Sequence, residues 1–180
     1  MNDQKLLQCA ARGDESAFLM LYRDHRTSVF RFAYRMTGAV DAADEISQDA
    51  FLAVLKGAGK FNGSHGSLRA YLLGVTRNLV RRRLIREGRY TDLDEATTVE
   101  AGDSWLERGE VSSAVRDAVQ ALPDGQREVV VLFEYEGLTL DEISKALEIE
   151  VGAVKARLHR ARESLRKRLA VFHENNHDRR

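Results

Sequence analysis

Apolar residues recur every three or four positions along most of this chain, the spacing of one face of an α-helix, and breaks in that rhythm divide it into elements. Residues near 3 to 12 predict a short first helix. Asp14 can cap a longer second one, with Phe18, Leu21, Tyr22, His25, Val29, Phe32 and Met36 on one stripe and Gly38 ending it. A third helix is expected after Asp41, with Ile46, Phe51, Leu52 and Leu55 apolar, stopping in the glycine-bearing run KGAGKFNGSHGS. Ser67 can cap a fourth that runs to Gly88. The rhythm fails over residues 88 to 110, which are rich in acids and glycine and too long for an ordinary connection inside one compact domain. It resumes near Val111 with a helix to Ala121, and Pro123 favours the start of the next. Val129 to Val131 with Leu132 and Phe133 resemble a strand in isolation, but their helical neighbours and the proline start argue for helix.

The stretch from Leu138 to Leu169, LTLDEISKALEIEVGAVKARLHRARESLRKRL, carries the most information. Thr139 with Glu142 three residues later forms a capping box, and Leu138 with Ile143 a hydrophobic staple around it. Leu140, Ile143, Leu147, Ile149, Val154, Leu158, Ala161 and Leu165 can share one core across a turn between Glu148 and Gly152. This is a helix-turn-helix pattern. Its second helix alternates that stripe with Lys155, Arg157, His159, Arg160, Arg162, Arg166, Lys167 and Arg168, cations that can meet phosphates and base edges in a major groove. A basic amphipathic helix is often just a solvated face, and the capped partner helix is what favours DNA.

The fourth helix, SLRAYLLGVTRNLVRRRLIRE, poses a question of its own. Leu68, Leu72, Val75 and Leu79 define a buried stripe, yet the same azimuth falls on Arg82 and Arg86 in the last turns, while Arg69, Arg77 and Arg81 lie elsewhere. The helix is therefore expected to outgrow its own domain, with cations nearly encircling its exposed end.

Charge sharpens that picture. The formal net charge is zero, but residues 61 to 90 hold seven cations against one acid, 91 to 150 four against sixteen, and 151 to 180 nine against three. Two basic blocks separated by an acidic one suggest two contacts with nucleic acid. Composition excludes other classes. A single proline and the helical period throughout predict an all-α chain. No apolar run approaches the ~20 residues of a membrane span, and MNDQKLLQ does not have the character of a signal peptide. The one cysteine, Cys9, permits no internal disulfide framework and fits a cytoplasmic location. His25, His65, His159, His173 and His177 form no ligand or catalytic set, so neither a cofactor nor an enzyme activity is expected. His173 and His177 fall in a polar tail, residues 173 to 180, expected to fray. Trp105, the large apolar residue of the linker, is expected to pack on a neighbouring helix.

Taken in order, DEISQDAF, a loop beginning FNG, a helix containing TRN, an acidic linker and ALPDGQREVVVLFEYEGLTLDEISKALEIEVGAVKARLHRAR resemble the bacterial RNA polymerase sigma factors of the extracytoplasmic-function group over nearly the whole chain. The resemblance implies two small helical domains, region 2 at residues 1–87 and region 4 at 111–172, joined by a flexible linker at 88–110. Asp44, Glu45, Gln48, Asp49 and Phe51 match the motif that grips a coiled-coil of the polymerase largest subunit. The segment from Phe61 matches the part that captures a base flipped from the promoter −10 element. Asn62, Ser64 and His65 offer hydrogen-bonding groups for it, Tyr71 a stacking surface, and Arg69, Arg77, Asn78, Arg81 and Arg82 cations or amides for the strands. Lys155, Ala156, His159 and Arg160 match the face that reads the −35 element, with Arg157 and Arg162 as phosphate or structural partners. An anti-sigma factor is also implied.

The chain departs from the family pattern in places. Ala42 and Ala43 precede the acidic pair where the family commonly reads Asp-Ala-Glu-Asp, and the −10 loop is one residue longer than usual. Glu150 stands where a small capping residue is frequent, and Ala153 and Ala156 replace the more usual Thr and Ser. An alternative from another class is a helix-turn-helix regulator whose first domain senses a signal. Such a domain has no reason to pair Asp44 and Glu45 with the cationic segment from Phe61 to Arg83.

Overall fold

The computed structural model describes the backbone of residues 2–91 and 110–177, and side-chain surroundings within these except at residues 65, 110–112 and 171–177. The described elements are α1 (Asp3–Ala11), α2 (Glu15–Thr37), α3 (Val40–Lys56), α4 (Leu68–Arg86), α5 (Glu110–Gln120), α6 (Asp124–Val130), α7 (Leu140–Leu147) and α8 (Val151–His177), with no strand among the described residues. Two single 3₁₀ turns, Ala58–Lys60 and Gly63–His65, lie between α3 and α4.

Local chemistry explains most boundaries. Asp14 accepts from the Ala17 amide and Ser67 from the Ala70 amide, each satisfying an otherwise unpaired donor in a first turn. Gly38 closes α2 with φ 72°, a left-handed conformation that glycine adopts without a Cβ clash. The third helix begins at Val40, ahead of Asp41; Ala39 precedes it with no side-chain cap, and Asp41 lies inside its first turn. Pro123 stands at the N-cap of α6, its missing N–H costing nothing there. The valine run is helical, as the neighbouring pattern demands, but it widens into a π-helical segment, Val131–Tyr135, which the period did not foretell. The expected capping box at Thr139 and Glu142 is present. The turn after α7 is shorter than expected: Glu148 adopts φ 56° at its end, and Gly152 already lies within α8.

In the first half, α1 to α4 enclose Leu6, Leu7, Leu21, Val29, Phe51, Val54, Phe61, Leu68 and Leu72. The second half does not form a separate core. One buried cluster runs from Phe32, Met36, Ile46, Leu73, Val80 and Leu84 to Val119, Leu122, Val129, Leu132, Ile143, Val154 and Leu158.

That continuity corrects the expectation for α4. The stripe through Leu68 and Leu72 does face its own half, but Leu73, Gly74, Thr76, Val80 and Leu84 are also buried; Leu73, Val80 and Leu84 lie in the cluster shared with the second half, and Gly74 faces Ala146 of α7. The helix does not stand clear of the protein; of its last turns Arg82, Ile85 and Arg86 are exposed. The linker to residue 109, including Trp105, falls outside the described residues. Helix α8 continues to His177, into the segment expected to fray.

Candidate nucleic-acid interface

Helix α3 turns two faces outward and inward by its period. Ala42, Ala43, Ile46, Ala50, Phe51 and Val54 are buried, which leaves Asp44, Glu45, Gln48 and Asp49 together on the exposed side. Phe51 is 3% exposed and its ring lies 5.0 Å from that of Tyr22. It is a core residue that forms the floor of a cleft of about 320 Å³ lined also by Arg26, Phe30, Asp44 and Gln48. Leu52, one of the apolar residues of α3, is 53% exposed, and Leu19, Met20 and Tyr22 on α2 are exposed as well. An acidic row beside large exposed apolar side chains suits a protein surface of opposite charge. Glu45 also pairs with Arg83 of α4.

The loop before α4 is organised by Asn62, whose Oδ1 accepts from the Ser64 amide at 3.0 Å and the Ser64 hydroxyl at 2.8 Å. Both side chains are exposed. Phe61 is buried beneath them with its ring 5.3 Å from Tyr71. Burial pushes the Tyr71 phenol up from its ordinary value. Asn62, Tyr71 and Asn78 open onto a cavity of about 420 Å³ whose far wall is Glu142, Lys145, Ala146 and Glu148 of α7 and its turn.

The cations of α4 separate into two sets. Arg69 donates to Glu136 Oε2 at 2.7 Å and to Ser28 Oγ at 2.9 Å. Arg77 grips Glu128 with two parallel bonds, Nε to Oε1 at 3.0 Å and Nη2 to Oε2 at 3.2 Å. Burial raises the Glu128 carboxyl above its ordinary value, and the Arg77 guanidinium pulls it back. Arg81 lies over the Tyr90 ring at 5.1 Å. Arg82 and Asn78 are exposed.

On α8 the apolar positions Val154, Leu158 and Ala161 are buried against α7, and Lys155, Ala156, His159 and Arg160 are all exposed on the opposite side. Arg157 is half-buried near Glu128. Arg162 pairs with Glu134 at 2.7 Å and covers the Phe133 ring at 5.4 Å.

Family models of Sigma-70 region 2 and Sigma-70 region 4 match residues 21–90 and 112–165. The ECF RNA polymerase sigma factor SigW of Bacillus subtilis is 31% identical over 92% of this chain and 96% of its own. The chain belongs to the ECF RNA polymerase sigma factors. The RNA polymerase sigma-H factor of Pseudomonas aeruginosa is 28% identical over 93% of each chain. Among solved structures, CnrH in complex with the cytosolic domain of CnrY superposes with TM-score 0.71 at 25% identity, covering 94% of this chain and 97% of that one. The sigma factor RpoE in complex with the anti-sigma factor NepR, from Bartonella quintana, shares the fold with TM-score 0.67 at 20% identity, over 86% of this chain and 97% of that one.

In this sigma factor the two predicted sets with exposed faces are the acidic row of α3, without Phe51, and the four outward residues of α8. The set on α4 is divided: Asn62, Ser64, Asn78 and Arg82 are exposed, whereas Arg69 and Arg77 are aimed at carboxylates of the other half. The His65 side chain is outside the described set. Sequence reasoning missed Ser28, Glu128 and Glu136, and it missed Arg127, which is 3% exposed and donates to the carbonyls of Met36, Gln120 and Leu122. Arg127 and Glu128 sit within a helical run that reads as ordinary amphipathic surface. The one available signal was Gly74, a helix-breaking residue in the interior of α4 where a side chain would cost less. Among the described residues no helix is long and apolar enough to cross a membrane, and no cluster of three metal-ligating side chains occurs.

Proposed function

We propose that this sigma factor directs transcription initiation by holding core RNA polymerase through α3 and promoter DNA through α4 and α8. It acts as a non-catalytic recognition subunit in the cytoplasm. Residues 1–87 and 111–172 serve as regions 2 and 4. The observation that carries this assignment is the exposure of Lys155, Ala156, His159 and Arg160 on one side of a capped helix-turn-helix. A donor and cation set so placed can enter a major groove while the opposite face packs on α7.

Asp44, Glu45, Gln48 and Asp49 supply the charge that meets a basic coiled-coil on the polymerase largest subunit, with Leu52 and the cleft over Phe51 as its apolar complement. The −10 contacts fall to Asn62, Ser64, His65 and Tyr71 for an extruded base, and to Arg69, Arg77, Asn78, Arg81 and Arg82 for the strands. Arg157 and Arg162 support the reading helix through Glu128 and Glu134. An anti-sigma factor is the expected antagonist, the kind of partner that accompanies RpoE in its solved complex. In vitro transcription with core polymerase and a promoter library tests the assignment. Selective transcripts that require this protein are expected, and none above the core-only background would overturn it.

A further inference from the structure

An asparagine followed by glycine is a chemically labile pair, because no side chain keeps the glycine nitrogen away from the asparagine amide carbon. Asn62 is the one asparagine of this chain in that position, and it lies exposed in the loop assigned to an extruded −10 base. The comparable pair in the second half is shielded. Asp124, which precedes Gly125, is 4% exposed, accepts from the Thr91 amide at 2.7 Å and pairs with Arg127. At Asn62 nothing of the kind holds the side-chain nitrogen. Oδ1 takes both bonds from Ser64, and Nδ2 has no partner among the described residues.

The turn also brings the reacting atoms onto one side. The bond from the Ser64 amide to Oδ1 closes a ring that contains both Asn62 Cγ and the Gly63 nitrogen, and donors on Oδ1 make Cγ more electrophilic. Gly63 opens a 3₁₀ turn, where its N–H has no partner within the element. The last approach needs rotation about the Asn62 Cα–C bond, whose ψ is 109°. The surroundings allow it: a Cβ at Gly63 would meet no atom beyond its chain neighbours nearer than 4.0 Å. Nor does the backbone require glycine there, since its φ lies outside the left-handed region.

We propose that Asn62 is a site of spontaneous deamidation, a one-way modification that turns the −10 loop from a neutral hydrogen-bonding surface into an anionic one. The Gly63 amide loses its proton to solvent, and its nitrogen bonds to Asn62 Cγ. The Cγ–Nδ2 bond breaks, Nδ2 leaves as ammonia, and a five-membered imide remains. Water then opens the ring. Cleavage between the nitrogen and Cγ leaves aspartate at 62, and cleavage between the nitrogen and the backbone carbon leaves isoaspartate, whose chain runs through Cγ. Nothing is oxidised or reduced; one water is consumed and one ammonia released. Either product is ionised at neutral pH, since a free carboxyl of this kind titrates near ~3.9, and its charge repels phosphates. A carboxylate also cannot donate as the amide does. The loss of DNA binding rests on assigning Asn62 to the −10 strand, whereas the deamidation does not.

The test follows the full chain by peptide mass spectrometry during incubation at neutral and at mildly alkaline pH, with isoaspartate detected by enzymatic methylation. Conversion at Asn62 should outrun that at Asn78, which lies inside α4 and precedes leucine, at least several-fold. It should quicken with pH, because the Gly63 nitrogen must ionise, and Gly63→Ala should slow it several-fold. Conversion at Asn62 no faster than at Asn78, or unaffected by Gly63→Ala, would overturn the proposal. Fluorescence anisotropy with labelled single-stranded DNA of mixed sequence reads the consequence. Asn62→Asp and the aged parent should both bind several-fold more weakly than the fresh parent, while Gly63→Ala should bind equally well before and after incubation. Conversion with undiminished binding would leave the modification standing and remove Asn62 from the promoter contacts.

Discussion

Glu142 illustrates how much one side chain can hold. It closes the capping box by accepting from the Thr139 amide at 3.0 Å and hydroxyl at 3.2 Å, and it accepts from Ser67 across the seam. Burial alone would raise its carboxyl, but the bonds from Ser67 and Thr139 outweigh that and hold it below the ordinary 4.5. A carboxyl with a lowered folded pKa stabilises above its unfolded value, and that contribution is lost as pH falls through the folded value. Thermal unfolding of Glu142→Gln should therefore lie below that of the parent at neutral pH, with the gap closing as the pH is taken below 4.5. A gap independent of pH would mean that the charge contributes nothing. Glu148 is the other residue whose backbone departs from expectation: its φ of 56° ends α7 in a conformation that costs an L-residue about 1–2 kcal/mol. The helix-turn-helix keeps its geometry there without glycine.

At the scale of elements, α3 and α8 present their proposed contact faces for the same reason. Each buries one stripe, and the period delivers the remaining positions to solvent together. Asp44→Arg with Glu45→Arg should abolish binding to core polymerase while circular dichroism stays helical, since both side chains are exposed; undiminished capture of core in a pull-down would remove this face from the interface. Glu45 also loses its bond to Arg83 in that variant, so part of any stability change belongs to the seam between α3 and α4. Arg160→Ala should weaken binding to a −35 duplex by about 1–3 kcal/mol if its guanidinium reaches a base. A footprint unchanged at −35 would assign the contact elsewhere. These two faces, the caps at Asp14, Ser67 and Thr139, and the all-helical class were legible in the chain because each depends on residues within a few positions of one another. Phe51 was not: an aromatic next to an acidic motif looks the same whether it points in or out. The carboxylate partners of Arg69 and Arg77 were not legible for a different reason: Glu136 and Glu128 are far along the chain and no local pattern links them.

For the whole molecule, the shared apolar cluster has a thermodynamic meaning. Leu73, Val80 and Leu84 belong to the same buried cluster as Val129, Leu132 and Leu147, so the core of the second half is continuous with part of the first. Calorimetry should show a single endotherm whose van't Hoff and calorimetric enthalpies agree, as for a cooperative domain, and two resolved transitions would mean that the halves unfold independently. Alternating polarity predicted two units because a linker rich in acid and glycine separates them. It could not reveal that α4 has apolar residues facing two partners, which flattens the periodic signal a helix with one buried face would give.

The widened turn at Val131–Tyr135 closes with the Glu136 amide donating to the Val131 carbonyl, five residues back, at 3.0 Å. A turn of this kind holds one residue more than an α-turn, and each residue advances a helix by about 100°. Deleting a single residue from it would restore regular winding and swing the carboxylate at 136 to a different bearing, away from Ser28 and Arg69, with the charges themselves untouched. The segment works as a spacer. Its length in residues sets the direction in which the acid points, and a deletion of one should unfasten the two halves more completely than many substitutions would.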